Sequence, residues 1–117
     1  MDIEYLWEYC NSKPFSEESF PFDQEHVVFK VKGKMFALFS VEQFKSINLK
    51  CDPERAIELR EQFTVVQPGY HMNKKHWNTV LFNEDVSDKI LLELIDHSYE
   101  LVVKSLPKKI QNELSIG

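Results

Sequence analysis

Apolar residues at the start of the chain recur every three or four positions. One face of a helix over this segment would carry Ile3, Leu6, Trp7 and Cys10. Acidic residues occupy the other faces, so the spacing predicts an amphipathic helix. Because the residue before a proline avoids helical geometry, we expect this helix to end near Pro14.

Between residues 27 and 51 the period changes to two, which indicates β-strands. Residues 27–31 and 35–39 flank Gly33-Lys34, a turn signal that predicts a hairpin, and residues 47–51 form a third strand. The polar positions of the first and third strands carry lysines. One face of the sheet is therefore expected to present Lys30, Lys32 and Lys50.

The second half of the chain predicts helix, two strands and a further helical region. Asp52 is suited to cap a helix because its carboxylate can accept from a free N–H, and Pro53 suits the first helical position. Residues 65–66 and 77–82 are predicted strands, joined by a loop that begins with Pro68-Gly69. The last helical region opens at Asp85 or Ser87 and closes at Pro107. It is either one helix or two that break near His97 or Ser98.

These elements predict an α+β fold of two layers, with an antiparallel sheet of about five strands and helices on one face. At 117 residues we expect a single domain spanning 1–117. The residues predicted to form its core are Phe29, Val31, Leu49, Leu59, Val80, Leu91, Leu94 and Ile95.

Charge is distributed in blocks within a formal total of −5. Residues 1–23 and 81–100 each carry six acids and one lysine, a net −5, whereas residues 24–50 carry five lysines and two acids, a net +3. Residues 68–80 add Lys74 and Lys75 without an acid. The acidic total opposes strong nonspecific binding to nucleic acid, but a local basic patch remains compatible with it.

The composition predicts a cytoplasmic protein with no membrane association. The first residues carry acids where a secretory signal carries bases, and no apolar run approaches the ~18 residues of a membrane span. Cys10 and Cys51 have no metal-ligand spacing and are expected to be buried thiols.

The segment 68–80 concentrates lysine, histidine, asparagine and aromatic residues without one carboxylate. Mobile cations next to a ring that can stack on a base are typical of nucleic-acid grooves, which makes Lys74, Lys75 and Trp77 candidates for contact. The alternative for Trp77 is burial under a helix, which its strand parity with Thr79 and Leu81 favours.

This segment, with Lys50-Cys51-Asp52-Pro53-Glu54 before it and Asp96-His97-Ser98-Tyr99-Glu100-Leu101-Val102 after it, resembles the MmcQ/YjbR family of small bacterial proteins. Gly33-Lys34-Met35-Phe36-Ala37-Leu38 is similar to the family's first hairpin. The resemblance covers nearly the whole chain. It implies a CyaY-like fold and DNA binding through two projecting hairpins, described as a double wing, and it implies no known reaction.

The leading hypothesis is a non-enzymatic DNA-binding domain, monomeric or weakly dimeric, whose binding is weak and salt-sensitive. The predicted contact residues are Lys30, Lys32, Lys34, Lys50, Lys74, Lys75, His76 and Trp77. The alternatives are a small-molecule or anion-binding domain with a pocket between the 68–80 loop and the final helix, and a protein-interaction module.

Four further residues are predicted to shape the loop or line a pocket: His71, Asn73, Ser98 and Tyr99. For Ser98 or Tyr99 we expect a hydrogen bond to the loop. Ser98 lacks the strand-to-helix elbow that presents a nucleophile, and the spacing of His71 and His76 fits no metal-binding motif. We therefore predict no catalytic residue, no metal and no cofactor.

Overall fold

The structure, a computed structural model, describes residues 2–69, 72–82 and 86–116. Its elements, in chain order, are α1 (Ile3–Asn11), β1 (Ser16–Ser19), β2 (His26–Val31), β3 (Lys34–Ser40), β4 (Ser46–Lys50), α2 (Pro53–Gln62), β5 (Val66–Pro68), β6 (Trp77–Leu81), α3 (Asp88–Lys104) and α4 (Lys108–Ile116).

The strands form one antiparallel sheet in the order β1-β2-β3-β4-β6-β5. The predicted α+β class and antiparallel sheet are confirmed. The sheet has six strands where about five were predicted, and β1 is the addition. β1 is held at the edge by its pairing with β2 and by a hydrogen bond of 2.9 Å that Trp7 Nε1 donates to Glu18 Oε2.

The β2–β3 hairpin turns at Lys32-Gly33, one residue earlier than predicted. Val31 lies opposite Lys34, and both residues between them have positive φ, 50° at Lys32 and 81° at Gly33. Two consecutive left-handed residues match the twist of the flanking strands, and glycine adopts that geometry without strain. Lys34 is therefore the first residue of β3 and not part of the turn.

Helix starts follow the predicted capping chemistry. Asp52 Oδ2 accepts from Arg55 N at 3.2 Å, and Ser87 Oγ accepts from Ile90 N at 3.2 Å. α3 runs unbroken through residues 97 and 98. Pro107 does not close the helical region as predicted but immediately precedes α4, where its missing N–H costs no hydrogen bond.

A single apolar cluster joins the helices to one face of the sheet. All eight predicted core residues are buried in it, and so are both free cysteines. Each of the four helices contributes a buried side chain to this cluster: Leu6, Leu59, Ile95 and Leu114. The prediction that the helices lie on one face of the sheet is therefore confirmed. Burial raises the pKa of the Cys10 thiol to about 12, which leaves it protonated at neutral pH. No described helix has the length and apolarity needed to cross a membrane.

Ser98 fixes α3 against the sheet where the pairing of β3 with β4 ends. The last pair on that side is Ala37 with Leu49. Beyond it, Ser98 Oγ donates to Phe36 O at 2.6 Å and accepts from Lys50 N at 2.9 Å. The hydroxyl thus bridges the two strands where a backbone hydrogen bond between β3 and β4 would otherwise continue the pairing, and it satisfies a donor and an acceptor of the backbone.

Candidate functional site

Two loops project from the same end of the sheet. One is the Lys32-Gly33 turn, and the other joins β5 to β6 across residues 69–76. Lys50 ends β4 between them, opposite Trp77 at the start of β6. We call this end, with its six predicted contact lysines, the basic end; it comprises Lys30, Lys32, Lys34, Lys50, Lys74 and Lys75.

The ammonium groups of the basic end form no ion pair with any acid in the described part of the chain. Lys34 Nζ donates to Ser105 Oγ at 3.3 Å, and Lys74 Nζ donates to Gly69 O at 3.4 Å. Lys32 Nζ lies 5.1 Å from the centre of the Phe15 ring, a cation–π contact. Within residues 2–69, 72–82 and 86–116, none of the six lysines forms an ion pair with a carboxylate.

The lysines surround the end of the sheet and do not share one face. Lys30 and Lys50 lie on the face away from the helices, because their neighbours Phe29 and Leu49 point into the core. Lys32 lies in the turn, and Lys34 reaches Ser105 after the end of α3. The predicted row of Lys30, Lys32 and Lys50 on one face is therefore wrong for Lys32, since strand alternation stops where the turn begins.

Asn73 organises the second loop through its own backbone and side chain. Its carbonyl oxygen accepts from His76 N at 3.2 Å and from Trp77 N at 2.9 Å, and its Oδ1 accepts from Lys75 N at 2.9 Å. This pattern closes a turn that leaves the Lys74 and Lys75 side chains exposed. The loop-shaping position expected for Asn73 agrees with this geometry.

Arg60 of α2 anchors the same loop, and sequence reasoning missed it. Its Nε donates to Asn78 Oδ1 at 2.7 Å, and its terminal nitrogen donates to Lys74 O and, at 3.3 Å, to Trp77 O. One guanidinium thus holds a buried amide and two loop carbonyls. The sequence signal was weak: Arg60 follows the buried Leu59 in a helix whose other charged residues are solvated.

Gly69 is required for the close approach of the loop to β6. A Cβ atom at this position would lie 2.8 Å from Trp77 Cβ and 3.0 Å from Trp77 O. Gly69 N also donates to Trp77 O at 2.8 Å. Any side chain here would push the two strands apart.

Trp77 is half-buried, and it lies on the uncovered face of the sheet beside Asn48 and Thr79. The prediction of burial under a helix is wrong, although the strand parity behind it was right. Its neighbour Asn78 faces the core instead of Trp77.

His76 follows Lys75 in the loop. Its carbonyl oxygen accepts from Cys51 N at 2.7 Å, so the backbone of His76 is fixed beside Lys50.

Among the described residues, neither Ser98 nor Tyr99 makes the expected hydrogen bond to the loop. Ser98 Oγ bonds Phe36 O and Lys50 N, and Tyr99 OH donates to Pro14 O at 2.6 Å. Both act on the helix side of the sheet, because α3 covers the face opposite to Trp77. His71, the remaining loop-shaping candidate, lies outside the described residues.

A concave cleft of about 770 Å³ lies over the face of the sheet that no helix covers. We call it the sheet-face cleft; its apolar walls include Phe22, Met35, Leu38, Met72 and Trp77. The alternative pocket was predicted between the loop and the final helix, on the opposite face of the sheet, and it stays a prediction. The same loop closes one end of the cleft, but the sheet, not a helix, forms its floor.

The described part of the chain contains no cluster of side chains suited to bind a metal ion. Within it, no three His, Cys, Asp or Glu side chains come close enough together to hold an ion. Because His71 lies outside it, the expectation that the protein needs no metal stays a prediction.

Comparison with known proteins places these features in a family. A family model described as YjbR matches residues 11–101. The chain belongs to the YjbR family. YbdF of Escherichia coli O157:H7 is 42% identical over 105 residues, which are 89% of this chain and 86% of YbdF. YjbR of Escherichia coli K12 is 37% identical over 110 residues, 93% of each chain.

Solved structures of YjbR-like chains have the same fold. A crystal structure of a Deinococcus radiodurans protein with a DUF419 domain superposes with a TM-score of 0.91 at 42% identity, covering 97% of this chain and 87% of that one. A crystal structure of a Pseudomonas syringae protein gives 0.73 at 28% identity, covering 87% and 99%. The resemblance identified from the sequence is confirmed, and so is the fold class that it implied.

Proposed function

We propose that this YjbR family member is a non-enzymatic DNA-binding domain that contacts the phosphate backbone with its basic end. The observation that supports the proposal best is that six lysines, none of them paired with a carboxylate among the described residues, converge on the end of the sheet that carries the two loops. They come from segments up to 45 residues apart, counting from Lys30 to Lys75. Protonated lysines that no acid neutralises release condensed counterions from DNA when they bind phosphates.

The spacing of the two loops suits a duplex. In the strand order, the midline of the β2–β3 hairpin is three strand spacings from that of the β6–β5 pair. At ~4.8 Å per spacing this is about 14 Å, close to the ~12 Å width of the major groove of B-DNA. The two loops can therefore contact phosphates on both sides of one groove.

The negative total charge does not prevent this contact. Asp23 and Glu25 precede β2, and Glu42 follows β3, so these acids lie at the opposite end of the sheet. A five-residue strand such as β4 separates the two ends by about 14 Å. This exceeds the Debye length of about 8 Å at physiological salt, so the remote acids are largely screened.

Acids near some lysines of the basic end make the expected contributions of these lysines to DNA binding unequal. Glu17 lies opposite Lys30 in the β1–β2 pairing, and Asp52 follows Lys50 by two residues. No such acid flanks Lys74 and Lys75 in the second loop. We expect these two lysines to contribute more to binding than Lys30.

The test is a titration of a labelled 20-base-pair duplex by fluorescence anisotropy across a salt series. If four to six lysines each neutralise one phosphate, log affinity falls against log salt with a slope of roughly −4 to −5. A slope near zero, or no binding at high micromolar protein in low salt, would contradict the proposal.

A further inference from the structure

The sheet-face cleft carries a second inference, independent of DNA binding. We propose that it binds an uncharged, planar heteroaromatic compound, stacked on the Trp77 indole and hydrogen-bonded at its edge to the Asn48 amide. The volume of about 770 Å³ is within the 300–1,000 Å³ typical of small-molecule sites. An exposed sheet face without helices would normally be flat or convex to solvent, whereas here loops from both sides enclose it.

The walls favour a flat aromatic body. Trp77 is half-buried and lines the cleft at its loop side, and an indole has a flat aromatic face. Aromatic rings stack with an offset on such a face, and thioethers make favourable contacts with ring edges. Met35 and Met72 supply two thioethers in the same lining, and Leu38 forms part of the floor.

The polar groups are placed to bind the edge of such a ring. Asn48 Oδ1 accepts from Thr79 Oγ1 at 2.5 Å, which orients the amide. In the described part of the chain its Nδ2 group has no protein partner, so it can donate to an acceptor on a ligand. The Ser46 hydroxyl lines the same cleft two residues earlier on β4.

The charges of the lining favour a neutral occupant. Lys45 and Glu25 carry opposite charges on the cleft walls. His26 bonds Asp23 Oδ2 at 2.9 Å and Glu25 Oε2 at 3.2 Å, so two carboxylates lie beside this ring. The lining therefore carries no excess of positive charge for a phosphate chain, which the basic end provides instead.

Phe22 places an exposed apolar ring at the edge of the cleft. Its side chain is 69% exposed although it borders the cleft. Burying such a ring against a bound aromatic compound is favourable by the hydrophobic effect, at about 25 cal/mol per Å². A ligand that reaches this wall would gain affinity in proportion to the ring area that it covers.

The experiment is a ¹H–¹⁵N NMR titration of the full chain with four neutral probes: adenosine, guanosine, riboflavin and quinoxaline. We expect at least one probe to bind saturably at millimolar concentration or below, with the largest shifts at Asn48, Trp77 and Thr79. Trp77→Ala should weaken binding about ten-fold, and Asn48→Ala by about three-fold. Tyr5→Ala, which removes an exposed ring on α1, should leave binding unchanged.

Two of the comparisons keep the test decisive. Asn48→Ala leaves the Trp77 side chain in place, so it reports on the cleft even if Trp77→Ala fails to fold. A double Lys74→Ala, Lys75→Ala variant should lose DNA affinity and keep probe affinity, which separates this inference from the proposed function. Failure of all four probes to bind, binding that Trp77→Ala and Asn48→Ala leave unchanged, or shifts in the cleft that only single-stranded DNA produces would each overturn the inference.

Discussion

At the scale of single residues, Ser98 shows how a residue can be identified from sequence while its role cannot. The sequence marked Ser98 because it resembles the family pattern, but its partners Phe36 and Lys50 are 62 and 48 residues away. No local pattern encodes such distances. Asp52 is the opposite case, because its partner Arg55 lies three residues ahead and capping chemistry predicts it.

Replacing Ser98 with alanine should destabilise the protein. The change leaves Phe36 O and Lys50 N without their shared partner at a buried position, at a cost of about 1–3 kcal/mol. Reversible chemical denaturation measures the loss. Ser46→Ala is the matched control because Ser46 makes no such bridge, and its effect should stay within about 0.5 kcal/mol. Equal losses of stability in the two variants would contradict the bridging role of Ser98.

His97 should make stability depend on pH below neutrality. Burial, and then the nearby Arg55 charge, lower the pKa of His97 from its ordinary 6.5. Its Nε2 accepts from Asp52 N at 3.3 Å, which also requires the neutral ring. The unfolded chain therefore takes up the proton first, so the stability is present above pH 6.5 and is lost as pH falls below it.

Denaturation midpoints of the wild type and His97→Gln at pH 7.5, 6.5 and 5.5 measure this effect. The wild type should lose more stability than the variant over this range. A parallel decline in the two proteins would show that His97 does not cause it.

At the scale of elements, periodicity predicted the strands and helices that have an apolar side. It missed β1 because Ser16-Glu17-Glu18-Ser19 has no apolar residue, and this strand depends on its edge pairing with β2 and on a side-chain bond from Trp7. It missed α4 because a proline after a helix indicates its end and equally the start of the next. The alternation correctly grouped Trp77 with Thr79 and Leu81 on one face of β6. It could not show which face of the sheet the helices cover, so the predicted burial of Trp77 under a helix was wrong.

The link between α2 and the second loop should depend on Arg60. Arg60→Met leaves Asn78 Oδ1 and Lys74 O without the donor that Arg60 supplies, while Trp77 O keeps its bond from Gly69 N, and the change should cost about 1–3 kcal/mol. Amide hydrogen exchange at His76 and Trp77 should accelerate more than exchange in β2. Arg55→Met is the control because it removes an arginine one turn earlier. Unchanged exchange in the loop would show that Asn73 alone holds it.

At the scale of the whole molecule, one core joins every layer. Because Leu94 of α3 packs in the cluster that also contains Leu6, Leu59 and Val80, truncating it should weaken the entire fold. Leu94→Ala should cost about 2–5 kcal/mol in chemical denaturation. The control Ile57→Ala, at a side chain that is 54% exposed, should cost far less. An unmoved midpoint for Leu94→Ala would exclude it from the core.

The distribution of charge is the other property of the whole molecule, and the sequence already indicated it as alternating blocks. Topology then decides its effect by bringing six of the seven lysines of two blocks to one end of the sheet, while Lys45 lies at the other end. The sequence could not predict that Lys34 would reach Ser105, since this contact spans 71 residues.

The most direct test of the basic end compares two losses of lysine charge at different places. Lys74→Ala combined with Lys75→Ala removes two charges from the basic end, and Lys89→Ala removes one from the first turn of α3, nine residues along the helix from Ser98. Duplex titrations across a salt series should show the slope of log affinity reduced by about 2 for the double variant and unchanged for Lys89→Ala. Equal slopes for all three proteins would contradict DNA binding by the basic end.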